Sequence, residues 1–226
     1  MQRIFIYLLF FIIPISGANV VSKTPDIKEN NNNVSECYQL YSDMQLQDLI
    51  EYKAFEEAYT GYKKIKDVKK SIITLIDFTK PSTQDRLFVL DLSTKKILYS
   101  SLVAHGKNSG EKYATSFSNE NNSLQSSLGF YITENTYQGK NGYSLILNGL
   151  EKGINDHAKQ RAIVVHGAAY SNPSVIKSGR LGRSFGCPAV PENLSRPIIN
   201  TIKDGSLLFI YADNDNYRKK STVLTM

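Results

Sequence analysis

Cys187 and His166 are the two side chains of this 226-residue chain best placed by their neighbours to do covalent chemistry. Cys187 lies in Gly182-Arg183-Ser184-Phe185-Gly186-Cys187-Pro188-Ala189-Val190, where flanking Gly and Pro predict a tight turn with little bulk beside the thiol. His166-Gly167 ends the apolar run Ala162-Ile163-Val164-Val165, which predicts a histidine at the lip of a strand with room beside it for a ligand. A thiol attacks as its thiolate, so a cysteine nucleophile needs a base, and the two need only be neighbours in space.

The other polar candidates are weaker. Of the three histidines, His157 sits among Asn155, Asp156 and Lys159 and reads as a surface-loop residue, whereas His105 closes Val103-Ala104 ahead of a long polar loop and reads as structural or substrate-contacting. Ser184 reads as a turn hydroxyl or a substrate contact, and Arg180 and Arg183 as solvated or carboxylate-binding side chains. A zinc site fails on supply, because no Cys-x-x-Cys or His-x-x-x-His pair exists. Gly179-Arg180-Leu181-Gly182 follows no strand and lacks the Lys-Ser/Thr ending of a phosphate loop. No metal or cofactor is therefore expected. Cys37 is the second of two cysteines; a bridge from it to Cys187 would staple little, so it reads as a small apolar filler on a helix.

Several elements must position these residues. From 36 to 70, Leu46, Leu49, Ile50, Phe55, Ala58, Tyr59 and Tyr62 recur at threes and fours, predicting a helical segment with a weak point at Gly61. From Ser71 the texture turns to β: 71–78, 87–92, 96–103, 129–133, 143–147, 161–166 and 206–211 read as strands, with Ser93-Thr94-Lys95 as a hairpin turn. Short strands at close spacing with Gly-rich turns predict a mainly β fold, a sandwich or barrel. The polar stretch 107–127 is a long connection of the kind that often carries function. Residues 191–203, with Leu194, Ile198, Ile199 and Ile202 at helical spacing, predict a helix after the cysteine turn with a start broken near Pro197.

The ends set the compartment. A basic head at Arg3, an apolar stretch from Ile4 to Ile13 and a small-residue site ending at Ala18 predict a cleaved signal peptide over 1–18. An Asn-rich disordered spacer is expected over 19–35 and a polar tail over 214–226. The formal charge of +6 becomes +5 without Arg3, which suits anionic envelope polymers as well as mere solubility. For an exported chain with scattered Lys and Arg, nucleic acid is not an expected partner. No stable membrane anchor is expected after signal cleavage.

With these residues assembled, the chain resembles the L,D-transpeptidase (YkuD-like) family, in the branch of murein L,D-transpeptidase catalytic domains. His166-Gly167 and Ser184-Phe185-Gly186-Cys187 stand where the family has a strand His and then Ser-His-Gly-Cys. Ser126-Ser127-Leu128-Gly129-Phe130-Tyr131-Ile132 is similar to its Thr-Pro-x-Gly-x-Phe-x-Ile strand, and Val103-Ala104-His105-Gly106-Lys107 to its Val-Ser-x-Gly-Lys segment. Phe185 replaces a second His, and Pro188-Ala189-Val190 replaces an apolar-Arg or apolar-Asn continuation. The resemblance implies an L,D-transpeptidase-like catalytic domain over 71–213, acting as a monomer in the periplasm on peptidoglycan stem peptides. It implies Cys187 as nucleophile and His166 as base, with Gly186 and Gly167 supplying backbone groups. Ser184, Arg183, Tyr170 and His105 are then expected to line the substrate cleft. A 3→3 crosslink made through a Cys thioester with release of D-Ala is the implied reaction. An L,D-carboxypeptidase, or a wall-binding module without catalysis, shares the same residues.

Overall fold

The structure, a computed structural model, describes residues 31–225. The expected signal peptide and most of the expected spacer lie outside the described residues. Two helices come first, α1 (Asn31–Asp43) and α2 (Tyr52–Lys64). Then follow β1 (Ile72–Asp77), β2 (Leu87–Asp91), β3 (Lys96–Ser101), β4 (Gly129–Gly139), β5 (Gly142–Gly149), β6 (Val164–Gly167) and β7 (Ala189–Val190). The chain ends with α3 (Glu192–Ile202), β8 (Leu207–Tyr211), α4 (Asp215–Lys220) and α5 (Thr222–Thr225). Among the described residues, no helix is long and apolar enough to cross a membrane.

The strands form one mixed sheet in the order β3-β2-β1-β8-β4-β5-β6-β7, parallel at β1·β8 and β6·β7 and antiparallel elsewhere. Just past β3, Ala104 bridges to Ala189 in β7, so the two edges of the sheet meet and it is nearly closed into a barrel. Closure matters energetically because it leaves few unpaired backbone groups at an edge. The mainly β fold expected from the strand texture is thus found as a single curled sheet.

Burial follows position in the sheet. β8, Leu-Leu-Phe-Ile-Tyr, is buried along its whole length because the core lies on one face and helices on the other, whereas β3 alternates and shows one face to water. Phe130 of β4 stacks on Phe209 of β8 with ring centroids 4.2 Å apart. α2 lays Ala54, Phe55 and Ala58 onto this core.

Three features differ from expectation. The N-terminal helical segment breaks at 44–51, around the positive φ of Gln45, and not at Gly61. Gly61 lies inside α2, where a Cβ would enter the Phe130 ring; the glycine serves close helix–sheet packing. α3 runs unbroken through Pro197, because its apolar face of Ile198, Ile199 and Ile202 is fully buried and outweighs the lost N–H. The polar stretch 214–226 is folded through Thr225. Buried Glu151 accepts hydrogen bonds from Phe130 N (2.9 Å), Tyr217 Oη (3.0 Å) and Ser221 Oγ, which ties α4 and α5 to the barrel. Composition does not reveal such a clamp, since its acid and its donors on α4 and after it lie 66 and 70 residues apart.

Candidate active site

β6 pairs in parallel with the two-residue β7, which sets His166 against Ala189 and Gly167 against Val190. Cys187 lies two residues ahead of Ala189, and its Sγ accepts from Val164 N at 3.5 Å, so the thiol rests on the backbone of the strand that carries His166. The thiol in turn donates to Ala162 O at 3.6 Å, where Ala162 adopts a left-handed backbone (φ 52°) just before β6. No hydrogen bond joins His166 to Cys187, so the thiolate–imidazolium contact expected from the sequence is not preformed.

His166 is held for a definite tautomer. Its Nδ1–H donates to Gly167 O at 2.9 Å, which leaves Nε2 as the free acceptor. Both groups are buried, with Cys187 8 % and His166 4 % exposed. Burial pushes the thiol above its ordinary value, opposed by the Val164 N–H and by the positive charge of Arg161. Burial likewise holds the imidazole below its ordinary value, opposed by the bond to Gly167 O. At rest, near neutral pH, the pair is therefore a thiol and a neutral imidazole.

Ser184 builds the turn. It is 5 % exposed, and its Oγ donates to Cys187 O at 2.6 Å while accepting from Gly186 N at 3.1 Å. That spends the hydroxyl inside the protein and corrects the expectation of a substrate contact. It also occupies the Gly186 N–H expected to help hold an oxyanion; the Cys187 N–H has no hydrogen-bond partner among the described residues. Gly186 itself needs to be glycine, with φ +128° and Gln125 O 2.8 Å from where a Cβ would stand. Gly167 contributes its carbonyl to His166 and, through β6·β7 pairing, fixes Val190.

Two more expected cleft residues are structural. His105 is fully buried, so it has no surface to offer a substrate. Its Nδ1 accepts from Arg86 Nη2 (2.8 Å) and its Nε2–H donates to Gly110 O (3.2 Å). Burial and the Arg86 charge push its pKa down to about 4, so the ring stays neutral. Arg86 is also fully buried; it donates to Val103 O and Lys80 O and lies over the Phe78 ring, 4.8 Å from its centroid. Arg183 Nη1 donates to Lys107 O (3.1 Å), Gly110 O (3.2 Å) and Glu111 Oε1 (2.6 Å), and Arg180 pairs with the same Glu111. Through Glu111, Arg183 Nη1 and Arg180 Nε brace the start of the 107–127 loop.

Tyr170 belongs to a 3-10 turn at Ala169–Ser171 and packs against Gly182, and its phenol is raised to about 12 by burial and then by the Cys187 charge. Sequence reasoning missed two residues. Phe185, 73 % exposed beside the turn, was read only as a replaced histidine. Arg161 was read as the start of a strand; its signal was the basic residue just ahead of the apolar run that ends in His166. Cys37 and Cys187 are both free and both buried. The described residues contain no cluster of three or more His, Cys, Asp or Glu side chains able to hold a metal ion.

The sequence from 46 to 211 matches the family model described as L,D-transpeptidase catalytic domain. No curated protein matches the chain. Among solved structures, the chain is similar to an L,D-transpeptidase from Mycobacterium smegmatis, with 11 % identity, a TM-score of 0.41, and coverage of 63 % of this chain and 59 % of that one. It is also similar to an L,D-transpeptidase (Yku) from Stackebrandtia nassauensis, with 13 % identity, a TM-score of 0.37 and coverage of 79 % and 78 %. The chain thus spans 59 % of the first of these structures.

Proposed function

The chain belongs to the L,D-transpeptidase catalytic domain family, and from that premise we propose that it is an exported cysteine acyltransferase that forms 3→3 crosslinks between peptidoglycan stem peptides. What supports this reading is that the Cys187 thiol rests on Val164 N of the strand that carries His166, whose Nδ1–H is pinned to Gly167 O and whose Nε2 is left to take a proton. The catalytic unit spans 71–213, with the helical segment 36–70 packed on it as a cap, and the protein acts as a monomer in the periplasm.

The thiol leaves Ala162 O, and its proton passes to His166 Nε2, directly or through one water. The thiolate attacks the carbonyl of the third stem residue, and the Cys187 N–H donates to the developing oxyanion. The C–N bond to D-Ala breaks; the amine departs with the proton from His166 and leaves a thioester on Cys187. A side-chain amine of a second stem gives its proton to His166 and displaces the thiolate, which closes the crosslink; His166 then returns that proton to the thiolate and restores the resting pair. Because the thiol is raised and the imidazole lowered, the ion pair forms only transiently, and the rate climbs as pH rises toward the thiol's range. Tyr170 and exposed Phe185 line the stem-peptide cleft.

The test is mass spectrometry of purified Asn19–Met226 incubated with tetrapeptide muropeptides beside a Cys187→Ala variant. Crosslinked dimers lacking one D-Ala, absent with the variant, are the expected result. Tripeptide monomers alone identify an L,D-carboxypeptidase and overturn the crosslinking assignment. Products that survive in the variant remove Cys187 from the mechanism.

A further inference from the structure

Arg161 lies outside the Ser184–Cys187 turn and outside every motif that carries the family resemblance, yet its guanidinium reaches the back of that turn. A Cβ on Gly186 would stand 3.3 Å from Arg161 Nη2 and 2.8 Å from Ile163 Cδ1. The same guanidinium holds the long polar loop. Nη1 donates to Ser118 O (2.8 Å) and Ser127 Oγ (2.6 Å), and Nη2 to Gln125 O (2.6 Å) and Ser123 Oγ (3.1 Å). Between those contacts Ser126 Oγ donates to Gly186 O at 3.1 Å and accepts from Gly106 N at 3.0 Å. Loop and turn are thus locked to each other, with one cation between them.

We propose that Arg161 is a positioning residue, which fixes the 118–127 loop on the Gly186–Cys187 turn and supplies the positive charge that favours the Cys187 thiolate. The proposal rests on Cys187 being the nucleophile. A guanidinium suits the task because it keeps its charge when partly buried and its planar fork serves several acceptors at once. Within the fold the charge has few competitors. Besides Arg161, the titratable neighbour of Cys187 is Tyr170 from the 3-10 turn, whose phenol burial keeps protonated. Besides Cys187, those of Arg161 are Tyr131 from β4 and Glu120 from the loop. Arg161 lowers the thiol, against the larger effect of burial. Phe185, exposed beside the turn, brings no charge of its own.

The experiment reads the thiol without substrate. Iodoacetamide alkylation of the full chain is followed from pH 7 to 11, with adducts assigned to Cys187 by peptide mass. Cys37 is a quiet background, since burial pushes its thiol up to about 11. In Arg161→Gln the alkylation midpoint is expected to rise by about one pH unit, so that the rate at pH 7 falls roughly tenfold. Arg161→Lys keeps the charge but not the fork; its midpoint is expected at the wild-type position while its melting temperature drops with that of Arg161→Gln. Arg161→Met, which retains the apolar stem, replaces Arg161→Gln if that variant does not fold. An unchanged midpoint in the neutral variant overturns the proposal. So does a midpoint in Arg161→Lys displaced as far as in Arg161→Gln, because the residue then acts only as a tie. Failure of the functional reading is seen separately, as crosslinking that persists in Cys187→Ala.

Discussion

Ser184→Ala separates a turn-building hydroxyl from a substrate contact. The substitution removes the 2.6 Å bond to Cys187 O and leaves the Gly186 N–H, at 3.1 Å from Oγ, without its acceptor. Ser184 is almost fully buried, so water does not readily replace either bond. A lost bond and a buried orphaned donor together cost about 2–3 kcal/mol. In a domain of this size, that lowers the melting temperature by roughly 4–12 °C. Activity falls further than stability requires, because the carbonyl and N–H that Ser184 ties belong to the residue carrying the thiol and to its neighbour. A displacement of about 1 Å at a nucleophile costs on the order of 10²-fold in rate. The assay pairs thermal melts with initial rates of D-Ala release across substrate concentration. The turn reading requires a lower Tm and a fall in kcat, with Ser184→Thr recovering part of both. A variant with wild-type Tm and a rise in KM alone would refute it and return Ser184 to the list of substrate contacts.

Two further predictions concern the scaffold. Gly61→Ala gains up to about 1 kcal/mol of helix propensity in α2, but its Cβ enters the Phe130 ring, and overpacking of this kind costs about 1–3 kcal/mol. The net expectation is a lower Tm, and a stabilised variant would show that the Phe130–Phe209 stack yields easily. Glu57 is buried beside Arg218 (3.7 Å), and burial raises its carboxyl to about 7, above the unfolded value near 4.5. Since the folded state binds the proton more tightly, this contribution is complete below the unfolded pKa and is lost as pH rises through about 7. Glu57→Gln is therefore expected to raise the Tm at pH 8 and leave it nearly unchanged at pH 4.5; equal melts at both pH values would contradict the assignment.

The sequence alone determined what depends on local pattern. The strands could be read because β-branched and aromatic runs fit a pleated, buried surface, and the Ser93-Thr94-Lys95 turn because its neighbours alternate around it. The cysteine turn and the histidine at a strand's lip were legible for the same reason: Gly, Pro and the end of an apolar run act over a few residues. Gly61 shows the limit. A glycine in a helical pattern looks like a break when its neighbours are considered, and only the Phe130 ring, contributed by a strand far along the chain, makes it a packing residue.

The tertiary structure decided which polar groups were already spent. His105, Arg183 and Ser184 looked available for a substrate as sequence; Arg86, Glu111 and Cys187 O take up their hydrogen bonds in the fold. The Glu151 clamp and the Arg161 contacts join segments tens of residues apart, and nothing in the intervening sequence records their meeting. The two-residue β7 is too short to show a period, yet its parallel pairing with β6 sets Ala189, two residues after Cys187, against His166. Periodicity reports the local backbone state. Which groups meet is settled by closure of the barrel, where a buried polar group must find its partner from whatever segment the register brings near.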